Sequence, residues 1–203
     1  MLLEAKNISF RYRKGPWILK DVNFYADSKE SVALCGPSGY GKSTLAKILS
    51  GRLMPTSGEV LLDGKPIPVK GYNPVQLVYQ HPEKAVNPRW KMNDILREAW
   101  SPDDALLKRV GIEQEWLKRW PRELSGGELQ RFCVARALGP ETKFLLSDEI
   151  TTMLDVITQA QIWNLVIDIV KEREMGLIVV THNMALADRV CSRKVNLAEI
   201  NNI

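Results

Sequence analysis

Apolar residues fall in short strand-like runs at both ends of the chain and at helical spacing through its middle. Ile8–Tyr12, Val22–Tyr25, Ser31–Cys35 and Val60–Asp63 predict strands, and the Asp-Gly pair in "LDGKPI" predicts a hairpin turn. Between them, "GKSTLAKILSG" sets Leu45, Ile48 and Leu49 on one helical face, with Gly51 as a stop. Val75–Tyr79 predicts another strand. From His81 to about Leu138 the strand-like runs vanish, and helical patterns broken by Pro82, Pro88, Pro102 and Pro121 replace them. Phe144–Leu146 and Leu177–Thr181 are short apolar runs of the kind buried on both faces. A long amphipathic helix from Asp155 to about Met175 joins them, with Asp155 as its cap and Gly176 as its end. Buried strands separated by helices predict an α/β fold with a mostly parallel sheet. The first strands predict an N-terminal antiparallel β subdomain, and the middle segment a helical lobe inserted into the core.

Composition narrows the setting. A chain of 203 residues holds one domain with a substantial core, and 45% apolar and 26% charged residues are ordinary for a globular protein. The net charge of +4 comes without a dense Lys/Arg run, which predicts a solvated surface and no nucleic-acid partner. Cys35, Cys133 and Cys191 are odd in number and form no CxxC pair, so they fit a reducing compartment, with Cys35 and Cys133 as small core residues. The opening "MLLEAKNISF" is not a secretory signal, and no apolar run reaches the length of a membrane span. The expectation is a cytoplasmic protein, brought to a membrane only if another chain holds it there.

"CGPSGYGKST" fits G-x-x-x-x-G-K-[ST], follows an apolar strand and precedes a helix, which is the context that gives the pattern its meaning. Gly36, Ser38, Gly39 and Gly41 would wrap a phosphate with backbone N–H groups, and Pro37, which has none, would complete the loop around it. Lys42 would reach the β- and γ-oxygens, Ser43 would ligate Mg²⁺, and Thr44 would face the α-phosphate side. Kinases, GTPases, motors and transport ATPases share such a P-loop, so the remaining motifs must choose among them. "KFLLSDEI" sets Asp148 just past an apolar strand, where Mg²⁺ would sit beside the loop, and Glu149 next to it as a general base for water. A carboxylate directly after the metal aspartate favours hydrolysis over transfer to a hydroxyl acceptor. In "VVTHN", His182 ends the next buried strand, where an imidazole can sense a γ-phosphate.

"LSGGELQR" raises a separate question, because it offers a second anion-binding helix start in a chain that already has a phosphate loop. Ser125 and Glu128 have capping-box spacing, so a helix begins there and runs to about Leu138, with Leu129, Phe132, Cys133 and Ala137 as its apolar face.

Taken in order, these motifs resemble the ATP-binding subunit of an ABC transporter over essentially the whole chain, a P-loop NTPase. Gly36–Ser43 matches the Walker A loop, "LSGGE" the family signature, and Phe144–Glu149 Walker B with the catalytic Glu. The resemblance also implies that Gln80 is the Q-loop glutamine, a catalytic and Mg²⁺-binding residue, and that His182 is the switch histidine. It makes Thr152–Asp155 the D-loop and Tyr12 an adenine-stacking aromatic. It implies ATP and Mg²⁺ as cofactors and a head-to-tail pair of identical or homologous ATPase subunits. Ser125, Gly126 and Gly127 would then close over ATP held by the partner, and Asp155 would cross the interface. The chain divides accordingly into 1–80, nucleotide-binding core; 81–138, signature lobe; and 139–203, the Walker B and switch-histidine part of the core.

"QHPEKAVNPRW", "LSGGELQRFCVARAL" and "DEITTMLDVITQAQIW" look most like the oligopeptide, dipeptide and nickel importers. That implies permease subunits docked on the helical lobe, an extracellular solute-binding protein, and a position on the inner face of the cell membrane. Trp90, Trp100, Trp116 and Trp120 fall in the docking region, as groove residues or as lobe packing. A soluble ABC ATPase without a transport role, or a regulatory subunit of weak hydrolysis, is the alternative. Ile150 replaces the usual Pro, Thr152-Met153 replaces the usual Ser-Ala, and only 21 residues follow His182, which leads us to expect a shortened carboxyl end.

Overall fold

The computed structural model describes residues 1–68, 70–151 and 154–203. In chain order the first elements are β1 (Leu2–Phe10), β2 (Leu19–Asp27), β3 (Ser31–Cys35), α1 (Lys42–Leu49), β4 (Ser57–Leu62), β5 (Lys65–Pro66) and β6 (Val75–Val78). There follow α2 (Met92–Leu96), α3 (Asp104–Val110), α4 (Gly126–Ala137), β7 (Phe144–Asp148), α5 (Val156–Glu172), β8 (Gly176–Val180), α6 (Met184–Val190), β9 (Arg193–Asn196) and α7 (Leu197–Ile200).

Two sheets organise these elements. An antiparallel sheet has the order β2-β1-β4-β5, and a parallel sheet has the order β6-β7-β8-β3-β9. The turn between β4 and β5 is the expected Asp63-Gly64 hairpin. Helix α1 lies between the sheets, where Leu45, Ala46, Ile48 and Leu49 are buried. One face of the parallel sheet (Phe144, Leu146, Ile178, Val180) joins α1 and the antiparallel sheet in one core. The other face (Leu145, Leu177, Val179) packs against α4, α5 and the short helices of the middle segment. Burial on both faces is why β7 and β8 read as unbroken apolar runs.

The structure moves several predicted boundaries. Strand β1 starts at Leu2 and stops at Phe10, so Tyr12 lies beyond it. Its alternation is broken by register shifts between Ala5 and Ile8 and by Asn7 at φ 50, features of a bulge. Asp148 is the last residue of β7, not a residue past it. Gly176 opens β8 instead of ending α5; the helix stops at Glu172, and Glu174 takes the left-handed conformation at φ 50. The carboxyl-end segment that follows His182 holds α6, one strand (β9) at the edge of the parallel sheet, and α7.

Candidate functional site

Strands β3, β6, β7 and β8 run parallel, so their carboxyl ends share one edge of the sheet, where ligands of open α/β folds bind. After β3 the chain bends through Gly36–Gly41 into α1. Gly41 has φ 94, and a Cβ there would lie 3.0 Å from the Ile18 carbonyl oxygen and 2.9 Å from a Leu19 methyl. Backbone conformation and space therefore both exclude a side chain. The bend delivers the first turn of α1, whose N–H groups have no partner within the helix. Pro37, Ser38 and Gly39 form its exposed outer turn. Lys42 is 7% exposed, and its ammonium donates to the carbonyls of Gly36 (2.8 Å) and Pro37 (2.9 Å). The Ser43 hydroxyl donates to Asp148 Oδ1 at 2.9 Å. Thr44 follows on the same turn, half-buried.

Asp148 is 6% exposed. Burial pushes its carboxyl above the ordinary range; the Ser43 hydrogen bond opposes this, and the charge of Glu149 adds to it. Among the described residues no three His, Cys, Asp or Glu converge to hold a metal. A hydroxyl facing a buried carboxylate suits a hard cation that draws its other ligands from phosphate and water.

Glu149 stands one residue on, at φ 50, with its N–H donating to the Val180 carbonyl at 3.1 Å. A non-glycine residue in that conformation costs about 1–2 kcal/mol. Two side chains from neighbouring strand ends grip its carboxylate. Gln80 Nε2, past β6, donates to Oε2 at 3.0 Å, and His182 Nδ1, past β8, lies 2.8 Å from Oε1. The His182 side chain is 60% exposed, so the clamp opens to solvent on that side. Its backbone is fixed by a turn that sequence reading passed over: Asn183 N–H donates to Thr181 Oγ1 at 3.0 Å, and Asn183 Oδ1 caps α6. The Thr and Asn on either side of the His were the available signal. Ile150 is a core residue, 2% exposed.

The signature segment starts α4 with the expected capping box. Ser125 Oγ accepts from Glu128 N–H at 3.3 Å, and Glu128 Oε2 accepts from Ser125 N–H at 2.7 Å. Leu129, Phe132, Cys133 and Ala137 are all buried. Ser125 and Gly126 are exposed, and Gly127 faces the Thr158 methyl at the start of α5. Beside them Val156 and Ile157 are 79% and 72% exposed, large side chains facing outward. Gln130, also passed over, is 1% exposed and reaches the Tyr79 carbonyl at 3.4 Å, tying the signature helix to the residue before Gln80. Nothing in its type or spacing marked it.

Tyr12 is 56% exposed, set edge-on to Phe10 with ring centroids 4.8 Å apart. Thr152 and Met153 of the expected D-loop lie outside the described residues. Asp155 caps α5, accepting from Ile157 and Thr158 N–H at 3.0 Å each, and its bonds with Thr158 hold its carboxyl below the ordinary range. The four lobe tryptophans divide. Trp100 and Trp116 pack against the core, Trp90 is 41% exposed, and Lys91 lies over the Trp120 ring.

Comparison with known proteins gives this arrangement a lineage. The ABC transporter family profile matches residues 19–152. The chain is 36% identical to the nickel import ATP-binding protein NikE of Rhodospirillum rubrum, spanning 98% of this chain and 81% of that protein. It is 32% identical to the nickel import system ATP-binding protein NikE of Staphylococcus aureus, with 98% and 87% covered. It is 34% identical to a probable peptide ABC transporter ATP-binding protein of Sinorhizobium fredii, with 86% and 55% covered. Among solved structures, a dimeric post-hydrolysis state of the ATP-binding cassette MJ0796 bound to ADP and Pi superposes with a TM-score of 0.80 at 26% identity, covering 96% of this chain and 93% of that one. CbiO1 of Clostridium perfringens, part of an ABC transporter complex, superposes with a TM-score of 0.75 at 26% identity, covering 96% and 83%. With the P-loop, the acidic pair and the signature helix on one scaffold, the chain belongs to the ABC transporter family, as one of its ATP-binding, ATP-hydrolysing subunits.

Proposed function

We propose that this ATPase drives an importer for a small solute of the nickel or peptide class. The relatives named for nickel and peptide import support that class. The observation that carries the hydrolytic reading is the grip of Gln80 and His182 on Glu149, one residue from the Ser43–Asp148 pair.

ATP is the substrate, with its phosphates in the loop Gly36–Ser43, its α-phosphate side toward Thr44 and its adenine on Tyr12. Lys42, already inside the loop, turns its ammonium from two carbonyls to the β- and γ-oxygens. Mg²⁺, held through Ser43, Asp148 and the Gln80 amide oxygen, would neutralise charge on those oxygens. Glu149 accepts a proton from the attacking water. Its two carboxylate oxygens are spoken for by different strand ends, so movement of either the Gln80 or the His182 segment reorients the base. His182, exposed on one side, is available to a γ-phosphate oxygen.

Ser125, Gly126 and Gly127 complete the site of a second ATPase subunit in a head-to-tail pair, identical or homologous. Val156 and Ile157, exposed beside the signature, suit burial against that partner. The parts 1–80, 81–138 and 139–203 act as core, signature lobe and core return.

A cavity of about 800 Å³ between β4, α4 and the strand leading to Gln80 suits a permease segment; Met54, Tyr72, Gln76, Tyr79 and Arg136 are among its lining. Tyr79 lies both in that lining and under the Gln130 amide, so an occupant presses on the backbone that carries Gln80 and on the signature helix together. Among the described residues no helix is long and apolar enough to cross a membrane, so a place on the inner face of the membrane is supplied by the permease. An extracellular solute-binding protein feeds the complex.

Affinity purification from membranes tests this reading. Permease and binding-protein chains should co-purify, and uptake of radiolabelled nickel or of a dipeptide should fail in a Glu149→Gln strain. Uptake of both solutes unchanged in that strain refutes the transport reading.

A further inference from the structure

The segment after β9 makes an unexpected contact with the nucleotide site. Asn196 caps α7, its Oδ1 accepting from Ala198 N–H, and the same oxygen lies 3.2 Å from where a Cβ of Gly36 would be. Leu197 is fully buried in the core that contains Leu19, Leu34 and Leu45, so α7 is anchored between the phosphate loop and the start of β2. Asn201 follows, 8% exposed. Its Oδ1 accepts from Lys20 N–H at 2.8 Å, and its Nδ2 donates to the Ile18 carbonyl at 3.0 Å and to the Tyr40 carbonyl at 3.5 Å. Asn202 N–H continues the pairing onto the Lys20 carbonyl at 3.1 Å.

A carboxamide has two donor hydrogens and one acceptor oxygen, and this one turns all three to backbone groups. Two of the three bonds copy a strand partner for residues 18 and 20, and the third reaches the outer turn of the phosphate loop. Ile18 is also the residue whose carbonyl and methyl group crowd Gly41. Asn201 therefore bolts together two backbone segments that must keep their spacing: the lead-in to β2, downstream of Tyr12, and the loop that bends into Lys42. No other residue type of this size supplies two donors and an acceptor. Asp loses both donors and sets oxygen against carbonyl oxygen, and Leu loses all three bonds.

We propose that Asn201 is a positioning residue for nucleotide binding, holding the phosphate loop at Tyr40 against the β2 lead-in at Ile18. The inference rests on Gly36–Ser43 being the ATP site. It predicts an effect on nucleotide affinity and little on turnover, since Asn201 is tied to the binding loop and its hydrogen bonds do not reach Glu149.

The test is binding of a fluorescent ATP analogue to the purified chain, with Kd measured well below Tm, alongside hydrogen exchange of the loop peptide 36–41. Asn201→Ala should raise Kd roughly 3- to 10-fold, the range of one or two weak hydrogen bonds. Asn201→Asp should raise it further. Exchange in the loop should speed up in both variants, and Asn202→Ala, which keeps its backbone N–H, should bind like the parent. ATPase kcat at saturating ATP should stay within about twofold while KM rises. If Asn201→Ala lowers Tm but leaves Kd and loop exchange unchanged, the residue is only a structural tie and the proposal fails. Lys42→Ala separates the two readings. Lost binding in that variant with an unaltered Asn201→Ala overturns the positioning role alone, and unaltered binding in Lys42→Ala overturns the ATP site and the proposal with it.

Discussion

Ser125 has two candidate employers, its own helix and a partner's nucleotide, and a pair of substitutions separates them. Within the capping box the Ser125 hydroxyl accepts at 3.3 Å, a long bond, whereas Glu128 accepts at 2.7 Å with a formal charge near a helix N-terminus. Ser125→Ala should therefore cost about 0.5–1 kcal/mol, the lower part of the usual range for a cap. Glu128→Ala removes the shorter bond and the favourable dipole interaction, about 1 kcal/mol. For a chain of this size each kcal/mol lowers Tm by about 2–4 °C, so Glu128→Ala should be at least as destabilising as Ser125→Ala. Association should rank the other way. If the hydroxyl closes on a partner's γ-phosphate, its loss removes a hydrogen bond to a charged group, about 1.5–3 kcal/mol, or roughly 10- to 150-fold in the dimer constant. Glu128→Ala leaves that hydroxyl in place and should cost only a few-fold. The assay is ATP-driven subunit association by analytical ultracentrifugation in a Glu149→Gln background, with the chain alone and with a homologous partner, and Tm by calorimetry. Equal losses of association in the two variants, in proportion to their Tm, would show that Ser125 serves only its own helix.

Three other outcomes are expected. Asp148 is raised above its ordinary 3.8 in the folded chain, so the stability it contributes is present below that value and is lost as pH rises through the higher, folded one. Asp148→Asn, which keeps an oxygen for Ser43, should raise Tm at pH 7 while Mg²⁺-dependent hydrolysis falls at least about 100-fold; a drop in Tm at pH 7 would contradict this. Gly41→Ala meets Ile18 and Leu19 and should lower Tm by more than about 4 °C and abolish ATP binding, whereas Gly39→Ala, at φ 84 with nothing within 4 Å, should cost only about 1 kcal/mol; similar effects of the two would remove the close packing from the explanation. The Cys133 thiol, 6% exposed and pushed up to about 12 by burial, should resist maleimide at pH 8 until the chain unfolds; rapid labelling of the native protein would show that the lobe opens.

What could be read in the sequence, and what could not, divides along a physical line. Motifs built from consecutive residues were legible. The strand–loop–helix at Ser31–Leu49, the hairpin at Asp63-Gly64 and the Ser125/Glu128 box each carry their own turn chemistry, and each lies where it was expected. Positions that depend on contact between distant segments were not legible. Leu2–Ala5 were missed because the bulge at Asn7 breaks the alternation that betrays a strand. Gly176 was misread because a glycine after a helix normally means a left-handed stop. Here Glu174 takes that conformation, and the missing Cβ of Gly176 makes room for the Phe144 ring across the sheet. The same line runs through the site. The acids and His182 were picked out from their own strand ends and Gln80 through the family resemblance, but the Gln80–Glu149–His182 clamp joins residues 69 and 33 positions apart. It exists only because β6, β7 and β8 are neighbours in the sheet. Strand β3 then inserts between β8 and β9, which brings the phosphate loop beside His182 on one side and the Asn196–Asn201 segment on the other. Residue identities thus set what chemistry is available, whereas strand order sets which groups act on one another. That is why Glu149 stood out as a candidate base from "SDEI", and its contacts with Gln80 and His182 did not.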